Sequence, residues 1–182
     1  IRDPLSGKLI LDIPWGLGFP QVSIPILSKD DHLIVSSGYS VGASSYSIFA
    51  DESNGGSDYK IKRIWKTKRL RSKFAPLLIP PSNPDLVLAL NDGVFAGFEA
   101  SSGKRLFQGE RYGHGQFLLI SKKDLLIQTE KGALVLLDIS GKEPVEKAKF
   151  EVFKSKTWNP PAVVGNYVLM RNHRNMALVR LP

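Results

Sequence analysis

Apolar residues come in short runs along this chain and never settle into helical spacing. Leu33-Ile34-Val35, Leu86-Val87-Leu88-Ala89-Leu90, Phe117-Leu118-Leu119-Ile120, Leu125-Leu126-Ile127 and Ala133-Leu134-Val135-Leu136-Leu137 are each about the length of a β-strand. No segment sustains a helical apolar period over several turns. Turn-forming pairs separate the runs: Asp92-Gly93, Lys131-Gly132 and Gly165-Asn166. With 16 Gly and 12 Pro, the chain is punctuated too densely for long helices. Several runs are apolar at consecutive positions, as expected of strands covered on both faces. Such strands belong to sheets stacked on one another in series, because a lone two-layer sandwich would alternate more.

A repeat organises the runs. Ser-Gly-Lys occurs as Ser6-Gly7-Lys8, Ser102-Gly103-Lys104 and Ser140-Gly141-Lys142. The last two follow an apolar strand ending in an acid (Phe98-Glu99, Leu137-Asp138) and precede a more polar strand (Arg105 to Gln108, Val145 to Phe150). Further upstream in each unit lies a strand that opens with small residues, Pro or Gly: Ser23 to Ile26, Ala75 to Leu78, Gly115 to Leu118 and Pro160 to Val163. Equivalent positions recur at roughly 39 to 51 residues, the period of a four-stranded propeller blade. Lettering the strands A to D, the chain reads D, then ABCD three times, then ABC. The leading D strand is predicted over 9–13, and the blades over about 22–66, 74–108, 116–153 and 158–181. The first blade carries a long C–D connection at Ser53 to Asp58.

This arithmetic predicts an all-β fold, a β-propeller segment of four-stranded antiparallel blades spanning 1–182 as one unit. The final blade lacks D while a spare D leads the chain, and an open edge strand calls for a complementary one. Either the four blades close alone, or they form part of a larger ring whose other blades come from a separate chain or another segment. The second closure is the one expected.

The strand, acid, Ser-Gly-Lys, strand pattern resembles the pyrroloquinoline-quinone-type (PQQ-like) β-propeller repeat, in which the last strand ends in Trp. Trp15 follows Ser6-Gly7-Lys8 in that way, and Trp65 ends the strand of the blade with the long insert. Phe107 and Phe150 stand at the equivalent places in the next two blades. The tracts Tyr112-Gly113-His114-Gly115-Gln116, Lys156 to Ala162 and Tyr167 to Asn172 resemble the C-terminal half of bacterial propellers of this kind. The resemblance implies a ring of about seven or eight blades. It also implies a periplasmic, cell-envelope or secreted setting, and a choice between two functions. One is a non-catalytic scaffold that binds a protein partner or small ligand through blade loops and the central channel. The alternative is a PQQ-dependent oxidoreductase of the quinoprotein alcohol dehydrogenase type, which would hold PQQ with calcium. Quinoproteins of this shape usually stack a vicinal disulfide on the cofactor, and this chain has no Cys. Nor do paired acids stand in any loop expected at the channel. The expectation is therefore a scaffold with no cofactor, no metal and no catalytic residue, and with Trp15 and Trp65 acting as wedges between blades.

Charge and loop chemistry add two candidate surfaces. Lys73, His114, Gln116, Trp158 and Asn159 all lie at the start of A strands, near the expected channel, and could form a polar, aromatic-floored ligand pocket. Phe74 and the tract Phe19 to Gln21 lie at equivalent places. His32 and His173 fall in separate turns without partners at metal-ligand spacing. Gly16-Leu17-Gly18 is too short a glycine pattern for a nucleotide loop. Lys plus Arg total 25 against 17 acids, a formal charge of +8. Much of the excess is concentrated in Lys60, Lys62, Arg63, Lys66, Lys68, Arg69 and Arg71, a basic ridge running to Lys73. An outer edge strand guarded by cations explains it, and an anionic surface or acidic partner would fit it. Nucleic acid is disfavoured, because only Trp65 and Phe74 interleave with the charges. No apolar run approaches the ~20 residues of a membrane helix. The chain opens at Ile1-Arg2-Asp3 with neither Met nor signal peptide, as a processed or truncated piece would.

Overall fold

Two of the predicted blades form complete four-stranded ladders, and two form three-stranded ones. The computed structural model describes residues 1–16, 18–54 and 58–181. The first sheet holds β1 (Ile26–Leu27), β2 (Leu33–Ser37), β3 (Gly42–Asp51) and β4 (Asp58–Thr67) in consecutive antiparallel order. The second holds β5 (Leu86–Asn91), β6 (Val94–Glu99) and β7 (Arg105–Arg111). The third holds β8 (Gln116–Leu119), β9 (Asp124–Gln128), β10 (Ala133–Asp138) and β11 (Val145–Glu151). The fourth holds β12 (Ala162–Val164), β13 (Tyr167–Arg171) and β14 (Met176–Arg180). Each sheet is a meander with antiparallel neighbours throughout, which is the blade architecture expected. One 3-10 turn, Glu52–Asn54, begins the long C–D connection of the first blade, and residues 55–57 of that connection lie outside the described residues. Leu17 of the Gly16-Leu17-Gly18 tract lies outside them too.

Two expected strands differ. The A strand of the second blade is reduced to one bridge, Leu78 with Leu88, closed by reciprocal N–H···O bonds of 3.1 and 2.8 Å. Pro76, Pro80 and Pro81 flank it and cannot donate to a ladder, so pairing does not propagate. The segment 9–13 makes no ladder strand. Leu9 turns back instead to bridge Arg2, and Ile10 N–H donates to Ile1 O at 3.0 Å. Among the described residues no sheet edge lies beside 9–13, so it pairs with its own hairpin.

The core explains the stacking. Along β5, the side chains of Leu86, Leu88 and Leu90 point one way and those of Val87 and Ala89 the other, as the strand's two-residue alternation requires. The first set joins Phe95, Phe117, Leu125, Ile127, Val135 and Leu137 in a cluster between the second and third sheets. The second set joins Ile34, Ala43, Ala96 and Phe98 between the first and second sheets. Leu126 and Leu134, on the opposite face of the third sheet, meet Val168 and Met170 of the fourth. Three apolar layers thus separate four sheets in chain order. Consecutive apolar residues in β5, β9 and β10 are the direct consequence of burying both faces.

The edges are unequal. Every residue of β11 is exposed, and most of β7 and β4 are too. The D strands are therefore the outer rim, and the A strands lie on the inner side. Trp65 on β4 performs the expected wedging. It packs against the cluster between the first two blades, and its indole N–H donates to Ala100 O of the second blade at 2.9 Å. Its ring lies over Gly103, where a Cβ would come within 2.8 Å of ring carbons. Gly103 also holds φ +68°, so glycine is required there twice over. Phe107 reaches Phe95 at 6.0 Å between ring centroids. Phe150 has no equivalent seat and is 59% exposed. Trp15 lies at a groove on the free face of the first blade, beside Tyr46.

Trp65→Ala is expected to lower stability by about 2–3 kcal/mol through lost packing, and Trp65→Phe by about 1 kcal/mol through the lost hydrogen bond. Denaturant midpoints check both, with Gly103→Val expected to destabilise the same interface from the opposite side.

Candidate functional site

The A-strand entrances converge on one aromatic and cationic rim. Lys73 and Phe74 are positioned by the segment before them, which is bonded into both flanking blades. Ser72 N–H donates to Ser36 Oγ of the first blade at 2.9 Å, and Arg71 N–H donates to Asn91 Oδ1 of the second at 2.6 Å. Lys73 Nζ then lies 4.1 Å from the centroid of Tyr39 and 5.1 Å from that of Phe74, within cation–π range of both. Phe19 stacks on the far side of this group, with its ring 4.8 Å from Tyr39 and 8° from parallel. Phe74 continues the series, edge-on to His114 at 5.4 Å and tilted against Trp158 at 5.0 Å. Lys156 Nζ closes it 4.2 Å from Trp158. Side chains from all four blades thus make one chain of ring contacts. Trp158 remains 40% exposed and Phe19 45%, so the rim offers aromatic surface to solvent.

Glu130, in the β9–β10 turn, anchors this rim. Its Oε2 accepts the His114 backbone N–H at 3.0 Å and its Oε1 accepts the Trp158 indole N–H at 2.9 Å. Its own N–H donates to Tyr112 O, and its carbonyl accepts from Thr157 N–H. Burial works to raise the carboxyl's pKa, but the two hydrogen bonds and the nearby His114 and Lys156 outweigh it and hold the group below its ordinary value. The charged form is the one the fold uses.

The five predicted pocket residues are therefore brought to one rim, in two roles. Gln116 is buried, and its Nε2 donates to Phe74 O at 3.1 Å, tying the third blade to the second. Asn159 ties the fourth blade inward: its carbonyl accepts from Gln128 Nε2, and its Oδ1 accepts from Arg171 at 2.7 Å. The side-chain amides of Gln116 and Gln128 thus join blades, while the Asn159 side chain bonds Arg171 within the fourth blade. Lys73, His114 and Trp158 present rings and charge to the mouth. Tyr39, Glu130 and Lys156 belong to the site and were not among the predicted residues. Glu130 and Lys156 stand in turn and linker tracts that the repeat made visible, but nothing local distinguished them. Tyr39 sits in a turn with φ +55°, a backbone state that sequence does not announce for tyrosine.

The basic ridge maps onto β4 and the link that follows it. Lys60 pairs with Asp51 at 2.9 Å and Arg71 with Asp92 at 2.8 Å. Among the described residues, Lys62, Arg63, Lys66, Lys68 and Arg69 have no acidic partner within ion-pair distance. Arg63, Lys66 and Lys68 line a groove of about 330 Å³ with Trp15 and Tyr46. His32 and His173 occupy the A–B and B–C turns of the first and fourth blades. No cluster of three His, Cys, Asp or Glu able to hold a metal occurs among the described residues. No helix among them is long and apolar enough to cross a membrane.

Serial antiparallel meanders of three or four strands, with A strands inward and apolar layers between blades, define a β-propeller. A solved structure carries the same fold: BamB from Moraxella catarrhalis, at a TM-score of 0.54 and 17% identity, over 95% of this chain. The chain spans 59% of that structure's length. No family model matches the sequence, and no curated protein does. The sheets here do not close on themselves, as fits part of a propeller ring.

Replacing Glu130 with Gln should cost about 1 kcal/mol at neutral pH, the usual scale for weakened hydrogen bonds to a charged group. A carboxyl depressed in the folded state stabilises above its unfolded pKa, and that contribution fades as pH falls through the folded value. The gap between wild type and Glu130→Gln should therefore be full at pH 6–7 and close below about pH 4.5. Urea unfolding across that range measures it.

Proposed function

We propose that this protein is a non-catalytic PQQ-like propeller scaffold, and that its inner rim binds an extended, acidic segment of a protein partner. The observation that carries this reading is the four-blade series of rings with Lys73 and Lys156 set over them. Aromatic faces give contact area at low entropic cost, and the two ammonium groups select carboxylates. Glu130, the acid at the rim, has both oxygens engaged and offers a ligand no free negative charge. The unpaired cations of β4 add a second contact for an acidic or anionic surface. The family resemblance supports a periplasmic or envelope setting.

The PQQ-with-calcium alternative fits these residues poorly. Calcium needs several oxygen ligands, usually carboxylates, and Glu130 is committed to His114 and Trp158 with no second carboxylate bonded beside it.

A displayed peptide library panned against the chain tests the proposal. The selected peptides should share acidic and aromatic positions, and Trp158→Ala with Lys73→Ala should weaken them at least tenfold without shifting the unfolding midpoint comparably. Peptides without acidic residues, or binding indifferent to both substitutions, would reject the rim. Saturable dye-linked alcohol oxidation on adding quinone and calcium would instead establish the enzyme.

A further inference from the structure

The formal charge of +8 is sorted by the fold rather than spread over it. In a series of antiparallel meanders, each connection between strands falls at one of two ends. The B–C turns at 38–41, 92–93, 129–132 and 172–175 share one end with the linkers 68–77, 112–115 and 152–161 that lead into the next blade. Hydrogen bonds join these segments to one another. Asp92 N–H donates to Arg71 O at 3.0 Å, Glu130 N–H to Tyr112 O at 3.0 Å and Thr157 N–H to Glu130 O at 2.9 Å. Asn172 Nδ2 donates to Ser155 Oγ at 2.9 Å in the same way. The opposite end is joined separately. There Lys29 pairs with Asp85 at 2.7 Å, Ser82 Oγ donates to Lys122 O at 2.9 Å and Ile139 N–H donates to Lys123 O at 2.8 Å.

The two ends differ in charge. Among the described residues, the connections at the rim end carry eight Lys or Arg against two acids, a net +6 of the chain's +8. Those at the opposite end (28–32, 52–54, 80–85, 100–104, 120–123, 139–144 and 165–166) carry five against five. Neither acid of the rim end is free: Asp92 pairs with Arg71 at 2.8 Å, and Glu130 holds His114 and Trp158. Lys68, Arg69, Lys131, Lys154, Lys156 and Arg174 are exposed, and among the described residues none of them has a carboxylate within ion-pair distance. Guarding an outer strand does not explain these six, because they stand in turns and linkers.

We infer that the rim end is a docking face for an anionic lipid bilayer. Its cations come from the linker after the first blade, the third blade's turn, the following linker and the fourth blade's turn, not from one cleft. A bilayer presents phosphates over a continuous plane and can meet all of them together, whereas a segment seated on the rim leaves the outer ones unmet. Anionic headgroups attract Lys and Arg within a Debye length of the surface. Trp158 adds a second feature, being 40% exposed at this end with Lys156 Nζ 4.2 Å from its ring. Indoles and long-stemmed cations are the side chains that settle at headgroup level. This inference does not depend on the rim's binding an acidic peptide, and its test leaves the rim residues Lys73 and Trp158 in place.

Flotation with vesicles of phosphatidylcholine containing one-third phosphatidylglycerol tests it. The chain should float with these vesicles and not with phosphatidylcholine alone, and ~0.5 M salt should release it. Each cation near an anionic surface contributes about fivefold to partition. Lys131→Gln, Lys154→Gln and Arg174→Gln together should therefore weaken binding at least tenfold. Lys122→Gln, Lys123→Gln and Lys142→Gln remove the same charge from the opposite end and should weaken it less than twofold. All six side chains are exposed, so both triple variants should keep the wild-type unfolding midpoint. No flotation with anionic vesicles, or equal loss in the two triple variants, would overturn the proposal. So would polyglutamate bound more tightly than the vesicles, which would mean an acidic protein partner.

Discussion

Burial of both faces of every inner sheet is the constraint on which this structure depends. A meander with one apolar face can rest against a single partner and stop. Here β5 sends Leu86, Leu88 and Leu90 to one neighbour and Val87 and Ala89 to another, while β9 divides Leu125 and Ile127 from Leu126. A sheet of this kind is stable only between two others, so the blades must form a series. Strand twist rotates successive sheets, and a series that keeps rotating becomes a ring.

The inner rim follows from that stacking. Side chains at the A-strand entrances come from blades dozens of residues apart, yet successive blades bring them within ring-contact distance. The polar bonds there join blades rather than finish individual ones: Gln116 reaches the carbonyl of Phe74, Gln128 that of Asn159, and Glu130 the indole of Trp158. Rigidity of the rim and cohesion of the blades therefore rest on the same groups. Lys73, His114, Lys156 and the exposed face of Trp158 are the part that the proposed recognition would use.

Much of the architecture was legible because its causes are local. Gly-bearing turns, short apolar runs and the recurring Ser-Gly-Lys marked the blades, and Trp65 was found where a wedge was expected. The failures were equally physical. Ala75 to Leu78 reads as a strand by composition, but the surrounding prolines limit it to one bridge. Segment 9–13 reads as a strand as well, yet a strand needs an edge to pair with, and none adjoins it among the described residues. Of the rim, Lys73, His114, Gln116, Trp158 and Asn159 were visible through their place in the repeat. Tyr39 and Glu130 were not, because each acts through a neighbour distant in sequence, and Lys156 was not, because only the folded linker sets its ammonium over Trp158.

Sequence by itself determined the class of fold, the period of the blades and the chemistry available at each turn. Those properties depend on side chains a few residues apart and on the parity of apolar positions. Tertiary structure alone decided which amides hold blades together and which rings remain open, and that Phe150 lacks the glycine turn Trp65 possesses. Such outcomes depend on distances between separate sheets. Those distances are set by how whole apolar faces pack, and no local pattern contains them.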